Sequence, residues 1–399
     1  MAIETQTQPP TSKSTQTFHL INTPQTTIHD ALTGLTSLHP SLSYSATHKI
    51  LHRADLATHR TSRVTVIGFS GGGHEPMFSG FVGPGFLSAA VSGNVFASPT
   101  AAQIYAAIRM CQPGGGGGDA TGKEGKGGKG GGEQGEQEDA GTLVVCGNYT
   151  GDVLNAGLAV TRAQAAGCRV RFLPVGDDVA VGRAKGGKVG RRGLSGHLVG
   201  LKVACALAEK GEGLTRVAEV MEYVVGNVGT IGVAFDRVSL PNGILTDLPT
   251  LPPHTIELGM GAHGEPGLQQ ISPIPTPKAL VERMIDLLVN TSDTDRAFIP
   301  FSSNPSANGD NQVVLLVNSL GSTSDEVLAR FTELAIVELK ARGFEVVRMT
   351  LGPLVTSLKM SGFGFTLWRL PGAKDGEVLE RKQALELWDY PVDCAAWRQ

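Results

Sequence analysis

Residues 68–99 read GFSGGGHEPMFSGFVGPGFLSAAVSGNVFASP. The apolar run Val64-Thr65-Val66-Ile67 just before them predicts a buried strand. Gly71, Gly72 and Gly73 follow. Without a Cβ they can take positive φ and bring the backbone close to a ligand. His74 then falls at the carboxyl end of a strand, where open α/β sheets place their ligands. A second block, Gly147-Asn148-Tyr149-Thr150-Gly151-Asp152, follows a second apolar run, Leu143-Val144-Val145. An imidazole and a carboxylate at two strand ends point to a general acid/base pair, His74 and Asp152.

Outward from these blocks the chain alternates strand and helix. Thr100–Cys111 is an amphipathic helix opened by Ser98-Pro99. Leu143–Val145, Val153–Ala166 and Val170–Leu173 continue a βαβ rhythm. Between them, Pro113–Asp139 is mostly Gly, Lys, Glu and Gln, and is expected as a disordered surface insertion. Gly182–Gly193 reads as the junction between two domains, 18–188 and 189–399, after a disordered tail at 1–17. Helices are predicted at Leu198–Lys210, Arg216–Val225, Lys278–Val289 and Asp325–Arg342, the last stopped by Gly343. Strands are predicted at Thr230–Phe235, Val313–Val317, Phe344–Met349 and Gly364–Trp368. The fold class is α/β.

Several blocks together resemble the substrate-binding domain of dihydroxyacetone kinase. They are GGGHEP with GFVGPGFLSAAVSGNVFASP, NYTGDVLN, GRRGLSGHLVGLK (190–202), TIGVAF (230–235), ELGMGAHGEPG (257–267), LLVNSLGSTS (315–324) and TSLKMSGFGFTLWRL (356–370). The resemblance runs in order from about Phe18 to the C-terminus. It implies two α/β domains of that type, facing a small-ketone site, in a homodimer. It also implies that His74 and Asp152 contact the substrate hydroxyls. In that family phosphate is delivered by a separate all-helical domain or subunit; this chain stops at Gln399, too early for that domain to be appended.

The departures carry as much information. The family's second histidine, which holds the ketone as a covalent hemiaminal, precedes the lysine of the RRG block; here Leu201 stands before Lys202. Leucine has no nucleophilic atom. The family's lysine before NYTGD is replaced by Gly147, and the glycine loop reads Phe69-Ser70-Gly71-Gly72-Gly73. The scaffold is kept while the kinase chemistry is changed at several points.

Composition sets outer limits. The 399 residues are 41% hydrophobic, enough for two ordinary domains, and the formal charge is −3. No basic cluster lies outside the glycine-rich insert, so no nucleic-acid footprint is present. No apolar run reaches the roughly 18 residues of a membrane span. The Thr/Gln/Ser-rich start lacks the apolar core of a signal peptide. Five cysteines without a CxxC fit reduced thiols, and the expected location is the cytoplasm. No metal cluster, Walker motif or dinucleotide fingerprint appears, so no cofactor or metal is expected.

Each candidate has a plainer role beside it. Asp152 is also a favoured N-cap for a helix starting at Val153. Glu75 either orients His74 or makes a structural hydrogen bond. His197 lies four residues before Leu201, on the same helix face, and reads either as a pocket residue or as a helix-start histidine without chemistry. His263 reads as a loop-structuring residue, Arg191 and Arg192 as a solvated junction, and 318–324 as a structural turn. Gly72, Gly73, Glu75, His197 and Leu201 complete the predicted substrate site, Leu201 making it more apolar. The function expected is acid/base chemistry on a carbonyl compound: isomerisation, dehydration, cyclisation or an aldol-type step. The alternatives are a dihydroxyacetone kinase subunit served by a helical phosphoryl donor, and a non-catalytic ketone- or sugar-binding protein.

Overall fold

The computed structural model describes residues 20–114, 140–238, 251–302, 311–372 and 375–397. The expected tail and most of the glycine-rich insertion lie outside them. The first sheet contains β1 (Leu42–Ser45), β2 (Ile50–Arg53), β3 (Thr65–Gly72), β4 (Ala89–Val95), β5 (Thr142–Gly147) and β6 (Val170–Val175), in the order β1-β2-β4-β3-β5-β6. β4, β3, β5 and β6 are parallel. Every residue of β3 is buried, as the continuous apolar and small-residue run requires of a strand covered on both faces.

Helices α1 (Thr27–Leu38), α2 (Leu56–His59), α3 (Ala101–Cys111) and α4 (Thr150–Ala165) belong to this half. α3 opens on a capping box in which Thr100 and Gln103 bond each other's backbone N–H groups. With α4 it covers one face of the sheet, around Ile67, Phe69, Ile108 and Ala159.

The chain passes to the second sheet through α5 (Arg183–Gly186), α6 (Gly196–Glu209) and α7 (Leu214–Gly226). Residues 196–208 of α6 are all buried. GHLVGLKVACALA has no polar face, and a helix apolar all round must be enclosed. It is enclosed in a core that joins Val66, Leu143 and Val145 of the first sheet to Val314, Leu316 and Trp368 of the second.

The second sheet comprises β7 (Val228–Ala234), β8 (Ile256–Leu258), β9 (Gln269–Ile271), β10 (Gln312–Ser319), β11 (Glu345–Gly352) and β12 (Gly362–Arg369), ordered β11-β10-β12-β7-β8-β9. Here only β10 and β11 run parallel, because β12 returns antiparallel between β10 and β7. α8 (Pro277–Val289) and α9 (Asp325–Ala341) pack on its outer face, and α10 (Arg381–Trp388) packs on α6. No helix among the described residues is long and apolar enough to cross a membrane.

The C-terminal segment ties the halves together. Buried Lys202 of α6 donates from Nζ to the carbonyls of Leu387 (3.0 Å) and Tyr390 (2.8 Å). The segment then crosses to the first half, where Asp393 N–H donates to Pro84 O and Ala396 N–H to Gly80 O, both at 2.9 Å. Trp397 packs on Phe86, with ring centroids 5.4 Å apart. Gly85 makes this approach feasible: its φ is +78°, and a Cβ there would lie 2.0 Å from Pro391 O. Gly85→Ala should therefore cost at least ~1–3 kcal/mol in backbone conformation alone. The expected result is a lower melting temperature with faster amide exchange concentrated in residues 385–397; unchanged exchange there would show that the segment does not rest on Gly85.

Candidate functional site

β3 ends at Gly72, and Gly73 at φ +96° turns the chain so that His74 points back under the sheet end. The Glu75 carboxylate holds this turn by accepting from Gly73 N–H at 2.9 and 3.2 Å. His74 is 3% exposed and stacks on Phe96 with centroids 4.9 Å apart. Its Nδ1 lies 2.8 Å from Thr356 O, on the segment between β11 and β12. That segment is fixed by Asn318 at the end of β10, whose Oδ1 accepts from Leu354 and Val355 N–H. The 318–324 turn thus has the structural part its sequence suggested.

Asp152 arrives from the next strand. α4 begins at Thr150 with Tyr149 as N-cap residue, so Asp152 sits in the first helical turn and is not the cap. It is 6% exposed, Ser98 hydrogen-bonds its carboxyl, and its Oδ1 has no partner. Burial raises its pKa to about 6, against the opposing effects of Ser98 and His263.

His197 is the third arrival, placed by two buried aspartates after β6. Asp177 accepts from Leu194 N–H (2.6 Å) and Gly196 N–H (2.7 Å) at the first turn of α6. Asp178 pairs with Arg192, whose Nη2 also donates to Gly259 O at 2.8 Å, and Arg191 stacks over Phe298. The two arginines are thus structural clamps rather than a solvated junction. His197 is 1% exposed, lies against Phe78, and has no hydrogen-bond partner on either ring nitrogen. Burial holds its pKa down to about 3.

His74, Asp152 and His197 line one small cavity of about 30 Å³, with Tyr149, His263 and Val355. His263 was expected to structure a loop; its Nε2 instead lies 3.1 Å from His74 Nε2, and its Nδ1 lies 2.8 Å from Glu265. Burial and the neighbouring His263 take His74 down to about 4. Burial raises Glu265, but the hydrogen bond and charge of His263 outweigh it and bring the carboxyl to about 2.

Other predicted residues lie elsewhere. Leu201 is not in the cavity wall: one turn beyond His197, ~5.4 Å along the axis, it is buried in the shared core. Gly72 is glycine because Ile28 of α1 would meet its Cβ at 2.2 Å, and at Gly73 the neighbour is Phe96. The glycines that do line the cavity are Gly71, Gly147 and Gly193. Glu75 faces a separate cleft with Pro76, Ser322 and Lys359.

The fold is α/β, with a small cavity framed by both sheets. The chain belongs to the Dak1 domain family, which it matches over residues 33–119 and 131–396. It is 34% identical over 378 residues to dihydroxyacetone kinase 1 of Saccharomyces cerevisiae, covering 93% of this chain and 59% of the relative. It is 35% identical over 378 residues to triokinase/FMN cyclase of Mus musculus, covering 95% of this chain and 57% of the relative. The crystal structure of the dihydroxyacetone kinase of C. freundii superposes with a TM-score of 0.73 at 29% identity, covering 96% of this chain and 60% of that one. The chain thus spans about three fifths of the length of these relatives.

The two unpaired nitrogens of His197 give a pH-dependent test. An unfolded chain holds this imidazole at its ordinary 6.5, and the fold holds it at about 3. As pH falls below 6.5 the unfolded state gains the proton first, so stability declines between those values and is intact above them. His197→Leu removes both the unpaired nitrogens and this acid sensitivity. Its melting temperature should exceed the wild type's by more at pH 5 than at pH 8; an equal difference at both would show that His197 is not held neutral.

Proposed function

We propose that this chain acts on a small carbonyl or enol substrate by general acid/base chemistry in the cavity of His74 and Asp152. What supports this most is the unpaired carboxylate oxygen of Asp152, in the cavity beside two imidazoles that burial keeps neutral. A carboxyl raised to about 6 is mostly ionised at neutrality, ready to take a proton, and lies close enough to neutral pH to return it. The substrate's hydroxyl groups would supply the partners that Asp152 and His197 lack. The name of one relative, triokinase/FMN cyclase, joins a kinase to a cyclase, which supports counting cyclisation among the reactions the site suits.

The names of the relatives favour a second reading, a dihydroxyacetone kinase subunit served by a helical phosphoryl donor. Leu201 does not weigh against it, because its side chain is turned into the core and that position presents nothing to the cavity.

Purified chain with ATP and dihydroxyacetone should show little phosphorylation; robust phosphorylation on adding a helical donor subunit would establish the second reading. In a screen of hydroxyketones without ATP, His74→Ala should lower turnover roughly 10²–10⁴-fold with the fold retained. Asp152→Asn should also lower it. Turnover indifferent to both substitutions would put the chemistry elsewhere.

A further inference from the structure

The second sheet carries a hollow beside the site. Asn318 of β10, Gly364 of β12 and Gly232 of β7 lie directly opposite one another on neighbouring strands. In the adjoining row Thr366 bonds both Thr230, at 2.7 Å, and Ser195 just before α6, at 2.8 Å. Neither glycine lies in the left-handed region, so the backbone does not require glycine at either position. Packing does not require Gly232 either: a Cβ there would meet nothing nearer than 3.7 Å. At Gly364 the nearest atom is Ile231 O at 3.3 Å. Glycine inside a strand weakens it, and often marks a place kept open for a ligand or another backbone. At Gly232 no backbone comes close.

The missing side chains leave a chamber of about 30 Å³. Ser195 and Thr230 in its wall engage their hydroxyls with Thr366, while Leu194, Leu320, Met260 and Met360 present apolar surface. The chamber backs onto the cavity of His74 and Asp152: among the described residues, Ala262 and Val355 line both. Either space alone has room for about two waters, too little for a hydroxyketone. The wall between them is thin and firmly mounted. Ala262 offers one methyl, and its carbonyl accepts from Ser357 Oγ. Val355 is gripped by Asn318, whose Oδ1 accepts from Val355 N–H at 2.8 Å and whose Nδ2 donates to Val355 O at 2.6 Å. Its branched side chain has few rotamers, so its methyls set the width of the passage. Beyond it, the flexible thioethers of Met260 and Met360 can repack around a guest.

We propose that the chamber is a second compartment of the substrate site, entered past Ala262 and Val355, and that it takes a short alkyl end of the substrate. The substrate class is then a hydroxyketone whose hydroxylated end stays beside Asp152 while its alkyl end lies against Leu320, Met260 and Met360. This deepens the carbonyl reading above and rests on it for the placement of the hydroxylated end. A methylene added on the alkyl side is buried in the compartment, where it is worth roughly tenfold or more in discrimination. A methyl added at Gly232 takes the same space from inside the protein.

The full chain is titrated calorimetrically with hydroxyacetone and with its ethyl homologue, hydroxymethyl ethyl ketone, which is longer by one methylene. The wild type should bind the ethyl ketone roughly tenfold more tightly. Gly232→Ala should abolish that preference, with the affinity for hydroxyacetone little changed and the melting temperature no lower. A wild type that binds both ketones equally, or prefers hydroxyacetone, would overturn the compartment, and that comparison needs no variant. So would a preference for the ethyl ketone that survives in folded Gly232→Ala. Deuterium exchange into the bound ketone separates the two ideas. A preference lost in Gly232→Ala, without any exchange, would refute the acid/base reading and leave the compartment standing. Binding of neither ketone would refute both.

Discussion

The enclosure of α6 between two sheets is the constraint on which the rest depends. Its sequence offers no face to water, so both halves must close on it, and closing brings the ends of β3 and β5 beside its first turn. Asp177 sets the depth of that turn by accepting from Gly196 N–H, one of its orphan groups, and from Leu194 N–H just before the helix. The consequences differ by one helical turn. His197 enters the cavity, Leu201 enters the core, and Lys202 reaches the C-terminal carbonyls. A histidine at position 201 would not reach the cavity on this backbone without a shift of α6.

Closing the site carries an electrostatic cost that decides its chemistry. An unpaired buried polar group costs ~1–3 kcal/mol, and the cavity holds several: both His197 nitrogens and one Asp152 oxygen. Burial is the largest cause of the shift at each of His74, Asp152 and His197, and in each case it favours the uncharged form. Glu265 is the exception: its two carboxylate oxygens lie 2.9 and 2.8 Å from His263 N–H and Nδ1, and these contacts outweigh burial and keep the carboxyl ionised. The site is thus polar, with two imidazoles that burial keeps neutral and the Glu265 carboxylate at its wall. Such a wall suits a neutral polyhydroxylated ligand better than an anionic one.

Much of this was legible in the sequence, for local reasons. Continuous apolar runs marked β3, β5 and β10, and helices α3, α4 and α6 to α9 fall within a few residues of their predicted spans, whereas α5 lies in the stretch read as a junction. His74 and Asp152 were legible as strand-end polar residues beside glycine. What was hidden is non-local. His263 lies 189 residues from its partner His74, and nothing around Ala262-His263-Gly264 reveals that contact. Asp177 and Asp178 are absent from the sequence reading, though two acids directly after an apolar strand were a signal that could have been used. The helix start at Thr150, which takes the cap from Asp152, follows from Tyr149 anchoring on Gly193 O at 3.0 Å. The antiparallel order of the second sheet depends on where β12 inserts, which no local pattern encodes.

The central claim is that this cavity moves protons next to a carbonyl without a phosphoryl donor. Deuterium wash-in tests it most directly: dihydroxyacetone or a larger hydroxyketone is incubated with the chain in D₂O, without nucleotide, and followed by proton NMR. The account predicts deuterium at the carbon beside the carbonyl, faster than in buffer and lost with Asp152→Asn. A hydroxyketone that binds in the cavity yet exchanges no faster than in buffer would contradict it.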